Sequence, residues 1–258
     1  MGPRTFDTMS PVFTVEERDR VRESLVEMAR ADKRVVAAAL IGATARGGGD
    51  RWSDVDLTFG LSDDASMAEV LGDWTRDLGL RFAAVHLFDL PVLSTVYRVF
   101  LLPGNLQVDL SFTPGAEFGA LGPEFALLFG GAVERPFMEP PAASHLFGLG
   151  AHHAVRARIC IERGRFWQAE YWISAARDEA LSLACRVRGL PARYGRGLDD
   201  LPVEVLDSFA GTLVRSLDRG ELMRALDRVV NALLVAAGDV GGLAPKLDRQ
   251  LRQLTTAT

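Results

Sequence analysis

The sequence predicts an α+β protein: a mixed sheet with flanking helices, followed by an all-α helical bundle. Three observations carry this. Short apolar runs of strand length are confined to residues 35–112. From Ser144 onward the apolar period is helical. Between them Pro136, Pro140 and Pro141 mark a break in composition. The reading divides the chain into residues 1–142 and residues 143–258.

Each element has a local reason. The first ten residues read as a loose tail. Thr14-Val15-Glu16-Glu17 has the spacing of a capping box, so a helix is expected from about residue 15 to Asp32, with Val21, Leu25, Met28 and Ala31 as its apolar stripe. Val35–Ile41 is continuously apolar and reads as a fully buried strand stopped by Gly42. A polar glycine-rich stretch, Arg46 to Arg51, follows. Val55–Phe59 alternates as a second strand. Residues 65–78 have a helical period. Three further apolar runs follow at Phe82–Leu87, Val96–Leu102 and Leu106–Phe112, the last two joined by the turn Pro103-Gly104-Asn105. Asp89, before Leu90-Pro91, reads as a loop residue. No strand is expected after Phe112. Helices are expected at about 145–163, 166–188, 203–217, 220–237 and 242–254.

Composition narrows the function classes. The chain has 258 residues, 48% of them hydrophobic and 24% charged, which suits a folded protein rather than a disordered one. No run approaches the roughly 18 apolar residues of a membrane span. The first residues lack the apolar core of a signal peptide, so a cytoplasmic location is expected. Two cysteines, Cys160 and Cys185, are too few for a disulfide framework or a four-thiolate zinc site. Residues 1–142 carry 13 Lys/Arg against 21 Asp/Glu, net −8, and residues 143–258 carry 16 against 13, net +3. That balance argues against general nucleic-acid binding. Only Lys33 and Lys246 are lysines, so any phosphate clamp falls to arginine.

The chemistry-bearing stretch is Gly42-Ala43-Thr44-Ala45-Arg46-Gly47, then Ser53-Asp54-Val55-Asp56-Leu57. Asp54 and Asp56 are two apart at the start of a strand, so they share a face about 7 Å apart. Carboxylates held together repel unless a cation lies between them, and Mg²⁺ takes oxygen ligands. Asp109 is a lone charge in Leu106–Leu110 and faces away from Val108 and Leu110. If its strand lies beside 55–59, it makes a third carboxylate.

These residues resemble the nucleotidyltransferase superfamily, the fold shared by DNA polymerase beta and the antibiotic-adenylylating enzymes. Its pattern is a Gly-Ser turn, a spacer, Asp-x-Asp and a later carboxylate. Gly42, Ala45, Arg46, Gly47, Ser53, Asp54, Asp56, Leu57 and Asp109 match, while Ala43 stands where the family has its serine. The resemblance implies one or two Mg²⁺ on Asp54, Asp56 and Asp109. It also implies ATP or another NTP bound with Gly42, Ala43, Thr44, Arg46 and Ser53, with Thr44 offering the hydroxyl that Ala43 lacks. A helical second domain is similar to that of the kanamycin and lincosamide nucleotidyltransferases. There Glu170 is a second candidate base beside Asp109, in competition with a Glu170–Arg177 structural pair. Arg156 and Arg177 are candidate phosphate contacts, and a solvated face paired with Glu162 is the alternative for Arg156 and Arg158. His152 and His153 are expected on different helix faces.

The implied activity moves a nucleoside monophosphate onto a hydroxyl of a small molecule, such as an aminoglycoside- or lincosamide-like antibiotic. An adenylyltransferase acting on protein or RNA, of the antitoxin type, and a non-catalytic nucleotide-binding module are the alternatives. A monomer or a homodimer is compatible with each.

Overall fold

The computed structural model describes residues 12–47, 49–137, 139–238 and 240–256. The tail expected over residues 1–10 lies outside them. The chain forms two compact units, Met1–Met138 and Glu139–Thr258.

The first unit opens with α1, Val15–Ala31. The backbone N–H of Glu17 donates to Thr14 Oγ1 at 3.1 Å, and that of Thr14 donates to Glu17 Oε2 at 2.7 Å, so two otherwise unpaired donors are satisfied reciprocally. The strands are β1 (Val35–Ile41), β2 (Val55–Leu61), β3 (Val85–Val92), β4 (Thr95–Leu102), β5 (Leu106–Pro114) and β6 (Phe125–Phe129). The helix α2, Met67–Phe82, lies between β2 and β3. They make one mixed sheet in the order β3-β4-β5-β2-β1-β6. Only the pairing of β2 with β5 is parallel, and it sets Asp56 opposite Asp109.

One face of this sheet is sealed. Leu57, Phe59, Leu110 and Phe112 pack with Leu25 and Ala29 of α1 and with Val70, Trp74 and Leu78 of α2. The rings of Phe59, Trp74 and Phe112 lie 4.8–5.3 Å apart in tilted and edge-on arrangements, as aromatic quadrupoles favour. The other face is covered only in part, by Phe118 and Phe125 over Ala37 and Ala39. Gly60 makes room for that cover, since a Cβ there would lie 3.0 Å from Phe118 Cβ.

Four expectations change. A sixth strand, β6, follows Phe112 after all. Its five apolar residues resemble any short buried run, and pairing with β1 decides the matter. The third strand is β3, because α2 runs on through Phe82. Asp89 therefore lies in a strand, opposite Arg98, whose Nε and Nη2 donate to its two carboxylate oxygens at 2.7 and 2.6 Å. Pro91 is tolerated because β3 is an edge strand. Finally, Val36 of β1 is exposed, at a register shift between Val35 and Ala37.

The second unit contains α3 (Ala143–Glu162), α4 (Phe166–Arg186), α5 (Val203–Ala210), α6 (Arg219–Ala237) and α7 (Leu243–Gln253). Its core joins Phe147 and Ala154 to Ile173, Ala176 and Ala180, and to Leu226, Val229 and Leu233. Val187, just past the end of α4, is exposed. The helix expected over 203–217 stops at Ala210. Arg224 donates from Nη1 and Nη2 to the carbonyls of Gly211 and Leu213, so those groups are paired outside a helix. Among the described residues no helix is long and apolar enough to cross a membrane.

Candidate active site

The site grows out of the turn between β1 and β2. Gly42 ends β1 with φ 71°, in the region that disfavours a side chain. A Cβ there would lie 2.6 Å from Asp56 Oδ2. The glycine thus clears space for a carboxylate of its own chain. Ala43–Arg46 then makes a single 3₁₀ turn. Ala43 is half-buried, and Thr44 Oγ1 is buried with no hydrogen-bond partner among the described residues. The side chain of Arg46 lies outside the described residues.

The loop that follows is tied down before it reaches Asp54. The N–H of Asp50 donates to Ser53 Oγ at 2.9 Å, and the N–H of Trp52 donates to Asp50 Oδ1 at 2.8 Å. Ser53 Oγ donates back to Asp50 Oδ1 at 3.3 Å. Ser53 is therefore engaged inside the loop, and its hydroxyl acts on loop shape. Arg18 of α1, only 8% exposed, donates from Nη1 to the Asp50 carbonyl at 2.6 Å. Arg51 donates to the Phe13 carbonyl at 3.2 Å.

This scaffold brings three carboxylates together. Asp54 precedes β2, Asp56 is its second residue, and Asp109 is its register partner on β5. One oxygen from each lies within 4.8 Å of the others, and all three side chains are half-buried. Gln107, two residues before Asp109 on the same strand face, donates from Nε2 to Asp109 Oδ1 and Oδ2 at 3.0 and 3.2 Å. Burial raises the Asp109 carboxyl above the ordinary carboxylate range. The Gln107 amide opposes that rise, and the charge of Asp54 adds to it. An all-oxygen donor set with a surplus of negative charge fits a hard divalent cation such as Mg²⁺.

Two neighbours of this site were not singled out in the sequence. Gln107 carries a signal, because residues two apart on a strand share a face. Arg18 carries none, since it reads as an ordinary polar position of α1.

The remaining sequence-derived candidates stand on the helical unit. Glu170 is half-buried and accepts from Ser174 Oγ at 2.7 Å. Arg177 lies 3.6 Å from Asp178, so Ser174 takes the place expected for Arg177 beside Glu170. The Arg156 guanidinium stands over the Trp172 ring at 5.7 Å. Arg158 pairs with Glu162 at 2.7 Å, as the alternative expects, but its side chain is largely buried and also donates to the Leu254 carbonyl, so the face is not a solvated one. The rings of His152 and His153 both approach Trp172, at 6.2 and 5.2 Å, so they share a neighbour despite adjacent positions.

No protein-family model and no curated protein sequence matches the chain. Among solved structures it is similar to an aminoglycoside 6-adenyltransferase from Bacillus subtilis, at 12% identity and a TM-score of 0.40. The match covers 94% of this chain and 98% of that one.

Proposed function

We propose that this protein is a Mg²⁺-dependent nucleotidyltransferase. It would move a nucleoside monophosphate, AMP from ATP or the equivalent from another NTP, onto a hydroxyl of a small molecule. The observation that carries the reading is the convergence of Asp54, Asp56 and Asp109 behind a glycine that clears space for one of them.

Asp54, Asp56 and Asp109 would hold the metal. Bound Mg²⁺ supplies charge neutralisation on the triphosphate and on the departing pyrophosphate. Thr44, on the turn that follows Gly42, is the proposed hydroxyl contact to phosphate. Asp109 is one candidate to take the proton of the attacking hydroxyl. Glu170, with Ser174 donating to it, is the other candidate base. Arg156 and Arg177 are the proposed phosphate contacts of the helical unit. The hydroxyl oxygen bonds to the α-phosphorus, the α–β phosphoanhydride breaks, and pyrophosphate leaves.

The test is pyrophosphate release and a mass gain of one nucleoside monophosphate on an acceptor. Aminoglycoside- and lincosamide-like compounds are the first acceptors to assay. Asp54→Asn and Asp56→Asn should each lower Mg²⁺-dependent turnover at least about 1,000-fold while the melting temperature moves by only a few degrees. Full turnover in either variant would overturn the assignment.

A further inference from the structure

The sheet face that carries the carboxylates continues beyond them without charge. Register partners share a face, so the rows can be read across the strands. Asp56 of β2 faces Asp109 of β5, Asp109 faces Val99 of β4, and Val99 faces Phe88 of β3. The next row runs Thr58, Ser111, Tyr97, Leu90. On the near side of Asp109, Gln107 faces Leu101, and Leu101 faces Val85. The opposite face takes Phe100 and Leu102 into the helix-covered core, which confirms the alternation.

The β3 edge of this face is apolar and exposed, while on β4 Val99 and Thr95 are buried. Val85 is 62% exposed, Phe88 52% and Leu90 51%, three neighbours on one strand rather than scattered surface positions. The side chains that β3 and β4 place there are Val85, Phe88, Leu90 and Val92 with Thr95, Tyr97, Val99 and Leu101, none of them charged. The ionisable residues of the two strands, His86, Asp89 and Arg98, lie on the other face, where Arg98 also donates to the Leu71 carbonyl of α2 at 2.8 Å. At the far end of the hairpin the Glu117 carboxylate accepts from Ser94 at 2.6 Å. Two strand spacings put Phe88 about 10 Å from Asp109.

We propose that this stripe binds the body of the acceptor, and that the acceptor is a neutral hydroxyl compound with an apolar or aromatic frame of roughly 10 Å. The inference rests on the nucleotidyltransferase reading. A hydroxyl at one end of such a frame reaches Asp109 while its apolar flank passes over the buried Val99 and lies on Phe88 and Leu90. A polycation such as an aminoglycoside needs carboxylates beneath its amines, and the stripe offers none. Continuity of the rows with the carboxylates favours this occupant over a second protein chain, which would bury the route to Asp109.

The test pairs direct binding with transfer. A neutral naphthyl alcohol, whose fluorescence polarisation reports binding, should bind the full chain without nucleotide. Phe88→Asp should weaken that binding at least about 10-fold, Phe88→Leu should restore most of it, and Asp54→Asn should leave it nearly unchanged. In the Mg²⁺-ATP assay Phe88→Asp should raise KM for the alcohol by a similar factor while KM for ATP and kcat hold. Unchanged alcohol binding in Phe88→Asp overturns the proposal, as does preferred transfer by the wild type to a polycation. A wild-type dimer that Phe88→Asp converts to monomer, with no change in alcohol binding, shows instead that the stripe joins two copies. Alcohol binding that depends on Phe88 in a wild type inactive toward every acceptor overturns the nucleotidyltransferase reading, and the stripe's role as an acceptor site with it.

Discussion

The two faces of the sheet solve opposite problems with the same six strands. The helix-covered face buries Phe59, Phe112 and Trp74, and its carboxylates have arginine partners. Arg98 holds the Asp89 carboxyl below the ordinary range, and Arg34 does the same for Asp32. The carboxylate face, open at its β3 edge, carries the buried Thr58 and Ser111 and three half-buried carboxylates, of which Asp109 is pushed the other way. The lesson is that one face gains stability from its acids while the other holds acids at a cost. Such a cost is characteristic of groups kept for chemistry.

The sharpest way to separate the faces is truncation. Phe59→Ala should cost about 3–5 kcal/mol by leaving a cavity between sheet and α2. Phe88→Ala should cost less than about 0.5 kcal/mol, because its side chain is already half in water. Urea titration of the two variants checks this, and equal losses would erase the distinction.

Next in size is Gly42→Ala. It places a Cβ 2.6 Å from Asp56 Oδ2 at a φ of +71°. The strain should cost about 1–3 kcal/mol. The shifted carboxylate should lower Mg²⁺-dependent transfer about 100-fold, with Mg²⁺ affinity measured by calorimetry falling in parallel.

Asp109→Asn tests the cost borne by the open face. A carboxyl raised in the folded state binds more protons there than in the unfolded chain. The metal-free wild type therefore loses stability as pH rises from the ordinary carboxylate range through the raised value. Above that window the variant should be more stable by about 1 kcal/mol, the scale of a charge repulsion across this distance, while transfer is lost. Thermal melts in chelator between pH 3 and 8 measure it.

A comparably small effect belongs to Asp89→Asn on the covered face, with the opposite sign. Its carboxyl is lowered, chiefly by the Arg98 hydrogen bonds, so its contribution is present above the ordinary value near pH 4 and is lost as pH falls through the lowered one. The variant should lose about 0.5–1 kcal/mol at pH 7 and show a shallower acid limb below pH 4.

Legibility differed by the range of the interaction. The start of α1 could be read because Thr14 and Glu17 satisfy each other within one turn. The β4–β5 hairpin could be read from three residues. The shared face of Asp54 and Asp56 follows from strand alternation alone. By contrast, β6 exists only because β1 has a free edge, and Asp89 lies in a strand because Arg98 stands opposite. The end of α5 is decided by Arg224, more than ten residues away, and the anchoring of Asp50 by Arg18, 32 residues before it.

By itself, then, the sequence determined which side chains share a face, because backbone periodicity is local chemistry. It determined the α+β class, the glycine turn before Asp54, and the isolation of Asp109 among apolar neighbours. Only the tertiary structure decided that β5 lies parallel to β2 with Asp109 opposite Asp56. Only there does Gly42 turn out to serve Asp56, and only there does an uncharged stripe run outward from the carboxylates. Strand order and register are fixed by packing against α1 and α2, and a one-residue slip would carry every one of these side chains to the opposite face.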